Sequence, residues 1–481
     1  MEVYQKQPQP PGSFIQTEEK MNKIRALPSS FRDRSGQVFH HQGRIIRTVQ
    51  DSYRADYDLL MNSGLYQELV SDKLLIEHKE ESPAKSGWQD KGLYKILEPE
   101  VIPVISYPYE WSFSAYKKAA LLTLKIEKAA LKHGLTLKDA SSYNVQFKGL
   151  MPVFIDTLSF ERYEINRPWV AYRQFCQHFL LPLSLMAYRD LRLQQLMKNH
   201  LDGVPMDLGV KLLPGKSRLN LHLFLNLHLH ALSATKYQKE GAVEKEASKV
   251  TGRGLEGILD SLEKAVNSLR LPESRSLWSD YYRLPDMSEY SREKERLTIG
   301  WLNFIKPVKL VDLGANTGFY SRLAAGKAGY VVSCDFDSLA VEINYRQAET
   351  EKIGNLLPLS IDLINPSPGL GWRNLERETF DVRLKSDSVL ALALIHHLFF
   401  SDNLPFSAIA EYLSSLGKQL IVEFVGPSDP QVRLLSQIRN ADVSAYSETN
   451  FQADFGRYFR LRKKQPLKSK DRILYLLEGH R

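Results

Sequence analysis

The stretch "VKLVDLGANTGFYSRLAAGKAGYVVSCDFD", Val308 to Asp337, decides the fold. "KLVDLG" has the short apolar run of a strand buried on both faces, and Gly314 stands where the chain must turn sharply into a helix. Gly318 follows four residues later, where that helix must pack closely on a strand. A dinucleotide site keeps a middle glycine so that backbone can approach a pyrophosphate. Here Asn316 holds that position, so the pattern asks for a ligand that needs no pyrophosphate cradle. The next strand, "GYVVSCDFD", ends in Asp335, about twenty residues on, which is the place for an acid that holds ribose hydroxyls. A third strand, "LLPLSIDL", ends with Asp362, positioned to accept from an exocyclic amine.

Working outward, "SDSVLALALIHHL" reads as a fourth strand opened by Asp387 and closed by His396 and His397. "QLIVEFVGP" is a fifth, and "FRLRKKQPLKSKDRILYLLE" a terminal antiparallel hairpin. In this order the segments resemble the class I S-adenosylmethionine-dependent methyltransferases, whose first motif, an acid followed by G-x-x-x-G, is matched by Asp312, Gly314 and Gly318. The resemblance covers roughly residues 275–481 and implies a Rossmann-like, seven-stranded α/β domain. It implies that the Gly314–Gly318 turn, with Asn316, packs against the methionine portion of S-adenosylmethionine. Asp335 would hold the ribose and Asp362 the adenine, with Asp312 and Asp387 also among the cofactor-binding residues. The alternative is an α/β domain that uses these glycines for tight turns and these aspartates as caps, or one that binds the cofactor without catalysing.

A sulfonium already carries an activated methyl group, so the protein mainly needs to align an acceptor behind it. For a hydroxyl acceptor, a neutral histidine suits the role of base near pH 7. His396 and His397 are the candidates; the alternative is that they cap the strand or pack beneath the cofactor. Methyltransferases of amide or adenine nitrogens often carry N/D-P-P-Y/F here, and "IHHL" departs from it. That departure speaks against those nitrogen acceptors, and the nodulation-related label of some proteins that the whole chain resembles implies a small-molecule or saccharide hydroxyl instead. Upstream, Trp278, Tyr281, Tyr282 and Tyr290 would close over the cofactor or pack a lid helix.

In the N-terminal part, "TLKDASSYNVQFKGLMPVFIDTLSF" places Asp139 and Asn144 five apart, with Asp156 after a short strand. This resembles the catalytic loop D-x-x-x-x-N and the metal-binding acid of protein-kinase-like phosphotransferases. On that resemblance Asp139 is the base, and Asn144 and Asp156 hold Mg²⁺ for ATP. "FSAYKKAALLTLKIEKAALKHG" would be the long helix before the loop and "PVISYPYEW" the hinge strand. "SYRADYDLLMNSGLYQELVSDKLLI" would be the single helix of a small lobe, after a hairpin "GQVFHHQGRIIRTV". The departures are Leu137 and Lys138 before the loop aspartate, Thr157 and Leu158 after Asp156, and the absence of G-x-G-x-x-G. Arg44 and Arg47 stand where a phosphate-binding lysine belongs, with Glu68 as the candidate helix partner. The alternative is a helical substrate domain in which Asp139 and Asn144 cap helices. End to end, the chain resembles a group of bacterial two-domain proteins, some labelled nodulation-related. The other readings open from this region are a kinase-like protein with an accessory methyltransferase domain and a non-catalytic scaffold.

Length supports two or three domains among 481 residues. The expected division is a loose tail over 1–30, an α+β kinase-like or substrate-recognition domain over 31–233, a charged linker and helix over 234–274, and the methyltransferase domain over 275–481. The net charge of +8 arises from 64 basic and 56 acidic residues, a mixed surface that does not suggest specific nucleic-acid binding. Cys176 and Cys334 are the only cysteines, which suits a reducing compartment. No apolar run of membrane-spanning length occurs, so a cytoplasmic protein is expected. His222, His228 and His230 in "LNLHLFLNLHLH" lack an acid or cysteine at ligand spacing, and no metal site is expected there.

Overall fold

In the computed structural model, which describes residues 24–82, 92–232, 250–271, 289–439, 443–468 and 471–480, the segment 308–337 is strand, turn, helix and strand. Contacts divide the chain into two units, residues 1–55 with 77–101, and residues 56–76 with 102–481. Residues 102–232 thus share a unit with the C-terminal sheet, and the tail before residue 24 and the linker 233–249 lie outside the described residues.

The first unit is a five-stranded antiparallel sheet of β1 (Arg25–Ala26), β2 (Val38–His41), β3 (Arg44–Gln50), β4 (His78–Glu81) and β5 (Leu93–Pro99), in the order β1-β2-β3-β5-β4. The anticipated hairpin is β2–β3. Arg44 pairs with Glu98 at 3.1 Å and Arg47 with Asp33 at 2.5 Å, so both guanidiniums have acids of their own unit. The single helix expected over 52–76 is two, Arg54–Asn62 and Leu65–Ser71. Gly64, at φ +86°, takes a left-handed conformation that other residues resist, and it breaks the run.

In the second unit the 20-residue helix Phe113–Lys132 starts at Ser112, whose side chain accepts from Ala115 N. Its inner face carries Phe113, Tyr116, Ala119, Ala120, Leu124 and Ile126, all buried. Two small antiparallel pairs follow: β6 (Leu135–Leu137) with β9 (Phe160–Arg162), and β7 (Val145–Lys148) with β8 (Met151–Phe154). The stretch 103–111, expected as a strand, is not one. Pro108 opens a 3₁₀ turn, Pro108–Glu110, which Glu110 closes by accepting from Tyr107 N at 2.8 Å. Helical turns fill 172–231, and the helix Gly252–Ser268 packs beside Phe113–Lys132.

The C-terminal sheet has seven strands: β10 (Lys309–Leu313), β11 (Tyr330–Asp335), β12 (Leu356–Ser360), β13 (Ser388–Ala391), β14 (Gln419–Val425), β15 (Phe459–Pro466) and β16 (Arg472–Gly479). Their order is β12-β11-β10-β13-β14-β16-β15. The first five are parallel and almost wholly buried, and β16 and β15 run antiparallel. The chain steps one way from β10 to β11 and the other way to β13, which opens a crevice at the carboxyl ends of the strands. The edge strand β15 exposes Arg460, Arg462, Lys463 and Lys464, a charged border that discourages pairing with another sheet.

Residues 102–232 meet this sheet along a buried polar seam. Glu110 and Arg383 pair at 2.5 Å with both side chains almost wholly out of water. Ser367 Oγ donates to Glu110 at 2.6 Å, and Arg383 donates to Ile105 O at 2.6 Å. Ser114 gives its N–H and hydroxyl to Glu342, and Tyr345 OH donates to Leu150 O at 2.7 Å. At Gly149 an added Cβ would stand 1.9 Å from Gly354 O, so the β7–β8 turn fits against the sheet only without a side chain.

Candidate active site

A cavity of about 440 Å³ opens at the carboxyl ends of β10, β11 and β13. Gly314 and Asn316 form one wall, both with positive φ, and the turn brings Asn316 N to 2.7 Å from Asp335 Oδ2. Asp337 N donates to the other oxygen at 2.9 Å. Asp335 is 8% exposed, and burial pushes its carboxyl up to about 6 against the pull of these hydrogen bonds. Asp362, two residues past β12, also lines the cavity and accepts from Ile364 N at 2.9 Å. Phe336 and Ile364 flank the two acids with exposed apolar surface.

Three anticipated cofactor residues lie off this cavity. Asp312 is buried behind it, 2.5 Å from Ser321 Oγ, and burial raises its carboxyl to about 7. Gly318, at φ +73°, faces the helix Ser338–Thr350: an added Cβ would fall 1.9 Å from Asn344 Oδ1. Asp387 sits at the opposite end of the sheet, accepting from Val308 N at 2.7 Å and Lys309 N at 2.9 Å, and it ties the start of β10 to β13. A residue that opens a parallel strand cannot also reach the crevice beyond the strands' carboxyl ends.

His396 and His397 do not close β13, which stops at Ala391; they lie in the first turn of the helix Ile395–Phe400. Both line the cavity, with ring centroids 4.2 Å apart. His396 is almost fully buried and its Nδ1 has no hydrogen-bond partner. Burial, then the neighbouring His397, Arg472 and Lys294, hold His396 well below the usual imidazole range; burial and Arg472 lower His397.

Sequence reasoning missed Arg472, Asp402 and Gln431, which line the same cavity from distant segments. Arg472 Nε donates to Asp429 at 2.7 Å and Nη1 to Tyr290 OH at 2.8 Å, with Glu423 at 3.3 Å. Glu423 also binds Lys294 and Tyr290 OH, each at 2.5 Å. Burial alone would raise Glu423; Lys294 and Arg472 hold it below the ordinary carboxylate range. Tyr290 therefore serves this network, while Trp278, Tyr281 and Tyr282 lie outside the described residues. Burial, and then Asp362 nearby, raise Asp402. Polar residues at a helix start and a strand start carried no recognisable spacing.

In the N-terminal segment, Asp139 accepts from Gln174 Nε2 at 2.8 Å and from Ser141 N at 2.9 Å. Burial and then the charge of Asp156 raise its carboxyl, and Asn144 hydrogen-bonds it. Asp156 accepts from Leu158 N at 3.1 Å and Ser159 Oγ at 2.6 Å, and Asn144 Nδ2 donates to Ser159 at 3.2 Å. The three residues are together, with Gln174 and Ser159 as tethers that the motif did not announce. Glu68 pairs with His133 at 2.8 Å. His222 meets Ser261, His228 meets Ser217 and His230 lies at a tilt beside the Tyr172 ring, so these histidines have separate neighbours. Among the described residues no group of three or more His, Cys, Asp or Glu side chains is arranged to hold a metal ion, and no helix is long and apolar enough to cross a membrane.

No protein-family model matches the chain. It is 32% identical over 459 residues to nodulation protein NoeA of Rhizobium meliloti strain 1021, covering 94% of this chain and 96% of that protein. Among solved structures it is similar to the N-methyltransferase NodS from Bradyrhizobium japonicum WM9, at 10% identity and a TM-score of 0.31, over 40% of this chain and 98% of the other. It is also similar to magnesium protoporphyrin IX methyltransferase (ChlM) from Synechocystis PCC 6803 with bound S-adenosylhomocysteine, at 18% identity and a TM-score of 0.31, over 42% and 92% of the two chains.

Proposed function

The chain belongs to the family of nodulation protein NoeA, and from that premise we propose that it is an S-adenosylmethionine-dependent methyltransferase acting on a small-molecule or saccharide hydroxyl. One observation carries this: a carboxylate pinned by backbone, Asp335, opens on the same cavity as the neutral pair His396 and His397. Asp335 accepts from the backbone of Asp337 and Asn316, and less strongly from that of Phe336, and its remaining acceptor capacity would serve a ribose hydroxyl. Phe336 and Ile364 offer apolar faces for a purine, with Asp362 at hand for its amine. Bound there, S-adenosylmethionine would supply an activated methyl group.

The protein's own task is then alignment. The histidines accept from the acceptor hydroxyl and turn its lone pair toward the methyl, and the surrounding apolar lining limits access of water. Calorimetric titration with S-adenosylhomocysteine tests the reading directly: micromolar binding is expected in the native protein, and no binding would overturn it.

The domain assignment we propose keeps 275–481 as the methyltransferase part and 31–233 as the part that selects the acceptor. A second reading, ATP–Mg²⁺ binding at Asp139, Asn144 and Asp156, is favoured by the contact of Asn144 with Asp139 and the nearness of Asp156. Titration with ATP–Mg²⁺ of native protein and Asp156→Ala separates the two: binding lost in the variant supports the second reading, and no binding by the native protein removes it.

A further inference from the structure

The helical run 221–232 is apolar on both of its faces. The inner face, with Leu223, Asn226, Leu227, His228 and Ala231, is buried. The outer face carries Leu221, Leu225, Leu229 and Leu232, spaced as one side of a helix, with Leu219 just before it. Leu219, Leu221 and Leu232 are 87%, 62% and 66% exposed, and Leu225 and Leu229 close to half. Single exposed leucines are ordinary, but a row of them along one side is a contiguous apolar patch, which marks a contact surface. The helix cannot roll to hide them. Asn226 Oδ1 accepts from Tyr172 OH at 2.9 Å while its Nδ2 donates to Ser261 Oγ at 2.9 Å, and Asn220 donates to Ser268 at 2.9 Å.

Charge says what covers the patch. From 208 to 232 the chain has no acidic residue, while Lys211, Lys216 and Arg218 stand in sequence beside the leucines. Arg189 joins them by donating to Leu212 O at 2.8 Å, and Lys216 lies over the Tyr188 ring. The acids of these segments are already engaged, Asp190 by Arg192 and Asp207 by Lys211. On the helix packed behind, Asp260 and Glu263 turn to Lys128. An apolar stripe with a cationic border fits a surface that is apolar within and anionic at its edge, the interface of a bilayer that contains acidic lipids. A second copy of the chain would set this acid-free, cationic segment against its own duplicate. The segment 233–249 that follows has seven charged residues and only Tyr237 and Val243 as larger apolar ones, a poor composition for covering leucines. A helix of this length reaches ~18 Å, short of the ~30 Å of hydrocarbon in a bilayer, so it would lie in the surface without crossing it.

We propose that the leucine side of 219–232, bordered by Arg189, Lys216 and Arg218, seats the protein on anionic phospholipid bilayers, the leucines entering the acyl boundary and the cations meeting lipid phosphates. The contact is peripheral and reversible, and it is independent of the methyltransferase reading.

The test is co-sedimentation of the full-length protein with vesicles of phosphatidylcholine, alone or mixed with phosphatidylglycerol. Binding to the mixed vesicles is expected to be about tenfold tighter or more than to phosphatidylcholine alone, and to weaken in about 0.5 M salt. Leu221→Ser with Leu232→Ser should weaken it about tenfold or more. Lys216→Gln with Arg218→Gln should weaken binding to the mixed vesicles about tenfold and to phosphatidylcholine less than about twofold. Near-ultraviolet dichroism of both variants should match that of the native protein. No binding, equal binding to the two vesicle types, or a double variant that binds like the native protein would each overturn the proposal. So would a dimer in sedimentation equilibrium that Leu221→Ser with Leu232→Ser dissociates, because it assigns the stripe to a second copy. Should the leucine variant not fold, the charge variant, which alters only exposed side chains, decides alone.

Discussion

Asp335 is the residue on which most depends, because its two oxygens are fixed by backbone N–H groups before any ligand arrives. Asp335→Asn keeps the shape and loses the charge, and calorimetry should show S-adenosylhomocysteine binding weakened about thirtyfold or more, from two hydrogen bonds losing charge assistance. The pH dependence has a definite sign. The carboxyl titrates near 6, so affinity should hold above that value and fall below it, approaching tenfold per unit. Constant affinity from pH 7 to 5 would remove Asp335 from the site. His396 and His397 give the opposite expectation: with both held below the usual range, the rate of methyl transfer should show no limb near 6.5 and fall off only at lower pH. Asp335 was legible from its distance after a glycine turn, a spacing fixed by one helix and one strand. Arg472 was not, because the antiparallel pairing of β16 with β14 brings it in from the end of the chain.

At the scale of elements, Glu127 shows how a helix holds a loop. From within Phe113–Lys132 it accepts from Thr136 Oγ1 at 2.7 Å and Leu137 N at 2.7 Å, which fixes β6 just before Asp139. Burial pushes this carboxyl up to about 8. The folded state therefore binds the proton more tightly than the unfolded chain, and the associated stability is complete below about pH 4.5 and lost as pH rises through 8. Denaturant titrations at pH 6 and pH 8.5 should show the native protein losing stability by up to about 1.4 kcal/mol per unit relative to Glu127→Gln; parallel curves would contradict it. The long helix and the parallel strands were readable because their apolar periods run unbroken. The stretch 103–111 was misread as a strand because two prolines and the Glu110 cap decide it locally. Helix 52–76 was misjudged through one residue, Gly64.

For the whole molecule, the seam around Glu110 and Arg383 was invisible in sequence, since the partners are 273 residues apart. Arg383→Met strands Glu110 in a dry contact and should cost about 3–5 kcal/mol in denaturant unfolding, while adding Glu110→Gln should recover much of it. If the double variant is no better than the single, the pair is not the source of the loss. The chain 289–481 expressed alone should be aggregated or molten by size exclusion and near-ultraviolet dichroism, because it exposes Arg383, Tyr345 and Glu342 without their mates. A monomeric, cooperatively melting fragment would contradict this. The same seam bears on ancestry. A crossover between residues 232 and 289 that joined a foreign sheet to this N-terminal part would inherit one sealed charge without its counter-charge, and the hybrid would be lost before its chemistry could be selected. The two parts can therefore diverge in what they bind, but they descend as one hereditary unit.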